Sequence, residues 1–137
     1  MLTSLLFLAT CSTGAVKDNP RRRIPCKTPA NAASCYWTHG RLKEANGTPS
    51  YTLWKIGTHR LLGIYSGPSV DRYGLDSEGP EFPPKVSRVF EQSNISNPYD
   101  ATIWADFEVC PLEPQRPDAM QAVCIESAKN LFVEKEK

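Results

Sequence analysis

Residues 35–65 read CYWTHGRLKEANGTPSYTLWKIGTHRLLGIY, and the fold turns on how this stretch is divided. Cys35 to Ala45 is rich in the aromatics that favour strands, and it runs into Asn46-Gly47-Thr48-Pro49. Asn-Gly between two strand-like runs is the strongest short-range hairpin signal, because both residues tolerate the positive φ of a tight turn. Ser50 to Ile56 is the returning strand, with Tyr51 and Leu53 on one face and Trp54 and Ile56 on the other. Gly57-Thr58 permits a second turn, and His59 to Tyr65 reads as a third strand. The stretch is therefore a three-strand meander.

Beyond it, Ser66 to Pro84 is a long loop rich in glycine, proline and acidic residues. Pro83-Pro84 leads into a short helix whose Val86, Val89 and Phe90 fall at i, i+3 and i+4, one apolar face. Ala101 to Leu112 (ATIWADFEVCPL) alternates strictly: Ile103, Ala105, Phe107 and Val109 share a face opposite Trp104, Asp106, Glu108 and Cys110. After the prolines 111, 114 and 117, Met120 to Glu126 resumes strand, and Asn130 to Val133 continues it after a bend. Residues 134–137 are a charged tail. Three strands, a helix and two more strands is the order of the five-stranded OB-fold barrel. Another small β barrel or a sandwich would also satisfy the count.

Working back to the N-terminus, residues 1–11 (MLTSLLFLATC) form a short apolar run ending in cysteine, and small residues follow. This is the form of an export signal. Leu8-Ala9-Thr10-Cys11 resembles a bacterial lipobox, in which the cysteine takes a lipid, although Thr10 stands where Gly, Ala or Ser is usual and no Lys or Arg precedes the run. The alternative is a buried strand with a free thiol at Cys11. Lipidation at Cys11 would make residues 12–25 a tether and 26–133 a single β domain, with the membrane as the first partner. It would also leave Cys26, Cys35, Cys110 and Cys124, an even number suited to disulfides in an oxidising compartment. Strand parity turns Cys110 and Cys124 to one face, which predicts a Cys110–Cys124 bridge and leaves Cys26 to Cys35.

With 137 residues and a net charge of +1, the chain has room for one core and gives no electrostatic reason to bind nucleic acid. No Cys/His spacing is of zinc-site type, and no cofactor motif is present. His39 and His59 would need Asp106 or Glu108 alongside to act as bases, and no nucleophile motif accompanies them. Asp71, Asp76, Glu78 and Glu81 lack the spacing of a calcium loop. Asn46-Gly47-Thr48 and Asn94-Ile95-Ser96 match the glycosylation acceptor pattern, which means little if the lipobox reading, and with it a bacterial source, holds. The aromatic load is the more telling signal: Trp37, Tyr51, Trp54 and Trp104 are the candidate binding residues, and parity places Trp104 opposite Phe107.

His39-Gly40-Arg41-Leu42, Asn46-Gly47-Thr48-Pro49, Leu53-Trp54, Ile56-Gly57-Thr58 and Arg60-Leu61-Leu62-Gly63 resemble a group of uncharacterised bacterial exported proteins. Asp106-Phe107-Glu108-Val109-Cys110-Pro111 and Val123-Cys124-Ile125-Glu126 are similar to the same group. The resemblance implies a domain spanning residues 35–126 and a place in the envelope, and it brings no assigned activity. The expectation is an exported, periplasmic or outer-membrane-anchored binding module for an envelope protein or small ligand. An extracytoplasmic hydrolase with a His/carboxylate site is the alternative.

Overall fold

The computed structural model describes residues 22–71, 79–92 and 101–135. Five strands form a ring: β1 (Tyr36–Glu44), β2 (Tyr51–Lys55), β3 (Leu61–Ile64), β4 (Ala101–Pro111) and β5 (Gln121–Lys135). A helix, α1 (Pro84–Gln92), lies between β3 and β4 in the chain. The ring runs β1-β2-β3-β5-β4 and closes by antiparallel pairing of β4 with β1, while β3 and β5 are parallel. This is the OB-like barrel expected from the order of elements.

Alternation produces the interior. Leu42, Leu53, Leu62, Ile64, Ile103, Ala105, Phe107, Val109, Val123 and Ile125 all turn inward and are buried. At Gly40 an added Cβ would stand 2.6 Å from Leu53 Cδ1 and 3.3 Å from Phe107 Cδ2, so the missing side chain makes room for those two. Val86 of α1 is buried against this core, and Val89 and Phe90 pack beside it. That is the i, i+3, i+4 face read from the sequence.

β5 differs from the expected pair of short strands. It runs unbroken for 15 residues, because it serves two neighbours in turn: 121–123 pair with β3, and 123–135 pair with β4. Two register shifts along the β4 pairing and the left-handed Asn130 (φ 56°) absorb the bend within the strand.

Residues 22–35 form a strap laid over the outside of β4 and β5. Arg22 donates to the carbonyls of Ile125 and Ser66. Glu81 accepts from the backbone N–H of Arg23 (2.9 Å) and Ile24 (2.8 Å). Thus residues 22–25, grouped by composition with the tether, are hydrogen-bonded to the barrel.

The strap overturns the expected disulfide pairing. Cys110 and Cys124 do stand opposite each other on one face, yet the bonds are Cys26–Cys124 and Cys35–Cys110. Parity assigns a face but not what covers it. Here the strap covers it, and its two cysteines take one partner each, so that Cys26, Cys110 and Cys124 form a second, sulfur-lined buried cluster.

Gly67 lies beneath the strap, where a Cβ would come 2.2 Å from the Pro25 carbonyl oxygen. Backbone cannot yield as a side chain can, so Gly67→Ala is expected to cost about 2 kcal/mol. Urea titration would check this, and an unchanged midpoint would count against the docked strap.

Candidate functional site

The register across the barrel assembles a row that no single strand reveals. Arg41 of β1 stands opposite Trp54 of β2 on one side and Trp104 of β4 on the other. Trp54 in turn faces Leu61 of β3, and Trp104 faces Phe132 of β5. All five are on the outside of the ring: Leu42, Leu53, Leu62, Ile103 and Ala105 beside the first four fill the core, and Leu131 and Val133 beside Phe132 pack against it.

The guanidinium carbon of Arg41 lies 5.1 Å from the Trp54 ring centroid and 5.9 Å from that of Trp104. Both are within the range of cation–π attraction. Each indole N–H is occupied: Trp54 donates to the Thr58 carbonyl (2.8 Å) and Trp104 to the Glu134 carboxylate (2.8 Å). These bonds fix the ring orientations. Arg41 has no ion pair or hydrogen bond among the described residues, and its Nε is shielded from solvent without a partner. The ends of the row are open, with Leu61 48% and Phe132 64% exposed.

Of the residues singled out from the sequence, Trp54 and Trp104 meet in this row. Trp37 is on the same outer side, 45% exposed, with the Lys129 ammonium 4.3 Å above its ring. Tyr51 is elsewhere: its ring meets Phe82 edge-on at 4.9 Å and packs against the core. Arg41, Leu61 and Phe132 carried no signal of their own in the sequence. Only the cross-strand register brings them together.

The His/carboxylate pair also exists. His39 Nδ1 is 3.0 Å from Asp106 Oδ1, and Asn130 donates to the other carboxylate oxygen at 2.9 Å. These bonds, Asn130 first and then His39, hold the Asp106 carboxyl below the usual carboxylate range. The pair stands on open surface, however, with side-chain exposures of 54% and 33%. Among the described residues no serine, threonine or cysteine side chain bonds the imidazole. His59 lies apart, in a shallow cleft with Arg60, Leu61, Pro117 and Met120, and Glu108 is paired with Lys27 at 3.0 Å.

A neighbouring cleft of about 240 Å³ lies between the β1–β2 and β4–β5 loops, floored by Gly63 and Ala122 and walled by Pro49, Tyr65 and Met120. Glu113 in its wall is already committed to the Ala122 N–H at 3.0 Å. Cys11, Asp76, Glu78 and Asn94 lie outside the described residues.

No family model, curated protein or solved structure matches the chain. The site is therefore argued from its own geometry. Its composition, two tryptophans about an arginine with exposed apolar residues at either end, is that of residues that dominate protein interfaces.

Proposed function

We propose that this chain is an exported binding module that contacts a partner in the cell envelope through the row Leu61, Trp54, Arg41, Trp104 and Phe132. The supporting observation is the placement of Trp54 and Trp104 on either side of Arg41, on an outer face whose apolar ends are open. Tryptophan and arginine are among the residue types that most often anchor protein interfaces. Two disulfides suit an oxidising compartment outside the cytoplasm. In this reading Cys11 carries the lipid anchor, and the residues between it and the strap are the leash. A second acyl group or a basic segment would be needed for firm attachment, since one chain alone holds weakly.

The test is recovery of cross-linked partners from the native membrane fraction with a C-terminally tagged chain. Trp54→Ala or Trp104→Ala is expected to lower recovery of the dominant envelope partner by about tenfold or more. Lys85→Ala, on the exposed side of α1, should leave it unchanged. A partner retained equally by all three variants would defeat the proposal.

The hydrolase reading has one specific observation in its favour, the His39–Asp106 pair. The pair is open to solvent and no nucleophile bonds the imidazole among the described residues, so the interaction module is the stronger conclusion.

A further inference from the structure

The unpaired guanidinium says what the partner carries. This step rests on the interaction face proposed above. A planar cation clamped between two indoles keeps its fork in one orientation, so little rotamer freedom is lost when it pairs. Arg41 has nevertheless no carboxylate partner among the described residues, although acids lie close by: Glu134 is bonded to the Trp104 indole and Asp106 to His39 and Asn130. The Nε–H is out of reach of solvent, so an incoming acceptor would meet the Nη end of the fork, which has no hydrogen-bond partner among the described residues.

We propose that Arg41 receives a carboxylate from a protein partner, an aspartate or glutamate side chain flanked by apolar residues that rest on Leu61 and Phe132. A carboxylate fits because its two oxygens match the guanidinium fork, giving charge-assisted bonds. A protein is favoured over a glycan by the orientation of the rings. Sugars stack on open aromatic faces, whereas each indole here gives one face to Arg41. The exposed Leu61 and Phe132 call for apolar side chains instead.

The probe is the capped pentapeptide acetyl-Leu-Ser-Glu-Ser-Leu-amide, whose Glu and two Leu share one face when extended, titrated into the 15N-labelled folded protein while the arginine Nε–H and tryptophan Nε1–H resonances are followed. The Gln analogue and free glucuronic acid serve as comparisons. The Glu peptide should shift the Arg41 Nε–H together with the Trp54 and Trp104 signals. It should bind about tenfold more tightly than the Gln peptide, the value of a charge-assisted bond. Arg41→Gln should abolish that preference, and Arg41→Lys should keep part of it because charge survives without the fork. Thermal unfolding of both variants guards against a folding defect, and Arg41→Lys alone suffices if Arg41→Gln is unfolded.

Equal affinity for the Glu and Gln peptides, or no shift at Arg41, overturns the carboxylate. Glucuronic acid binding as tightly as the Glu peptide overturns the protein partner. If either happens while cross-linking still depends on Trp54, the interaction face stands and only its ligand chemistry falls.

Discussion

Reduction of both disulfides is expected to unfold the barrel at 37 °C. The two bonds join residues 98 and 75 positions apart. In the chain-entropy account, closing loops of that length stabilises by about 4 to 5 kcal/mol each. One loop lies inside the other, so the second bond constrains an already shortened chain and the sum is less than twice the single value. Even so, the loss rivals the whole stability of a small domain, which is typically about 5 to 15 kcal/mol. Chemical denaturation with and without dithiothreitol would measure it. A difference under about 1 kcal/mol would show that the bonds are incidental to the fold.

The connectivity can be checked in the same preparation. Cleavage after Lys and Arg and before Asp separates all four cysteines under non-reducing conditions. Fragment 24–27 should be recovered with 118–129, and 28–41 with 106–117. Recovery of 24–27 with 28–41 would restore the pairing expected from parity and remove the strap.

The second large effect is expected at Phe107, the largest fully buried side chain among the described residues. It fills the space that Gly40 leaves open across the β1–β4 pairing. Phe107→Ala should cost about 3 to 5 kcal/mol, because a closed ring of strands cannot collapse into the cavity. Phe107→Leu should cost clearly less, since it keeps most of the volume. Urea midpoints of the two variants would decide. Equal losses would mean that the aromatic ring itself, not its volume, is what the core requires.

How much of this was legible beforehand depended on whether a feature is local. Alternation at Ile103, Ala105, Phe107 and Val109 marked β4 because apolar residues two apart must share a face. The helix announced itself by Pro84 and the spacing of Val86, Val89 and Phe90. Asn46-Gly47 marked the first turn. The strap left no such trace: Arg22 to Cys35 has no periodicity, and its place is set by contacts with Ser66, Glu81 and Ile125 far along the chain.

The row about Arg41 illustrates the same limit. Parity put Trp54 opposite Leu53 and Trp104 opposite Phe107, and there it stopped. That they flank Arg41 is a matter of register, and register is decided by the pairing of whole strands. Tyr51 shows the opposite case. It is a candidate binding residue by its aromatic character, yet it shares a face with Leu53 and packs against the core, where Phe82 and Phe90 meet it.

The Cys26–Cys124 bond also decides how the domain bears a load. If the chain is pulled between its two ends, the force runs along the strap as far as Cys26, crosses the sulfurs and leaves through β5 beyond Cys124. Everything from residue 27 to 123, including β1 to β4 and the helix, lies inside a covalent loop that the tension never enters. Tension between the two ends would thus leave β1 to β4 unloaded. Residues 22–26 of the strap and the part of β5 beyond Cys124, from which Phe132 projects, would feel the strain.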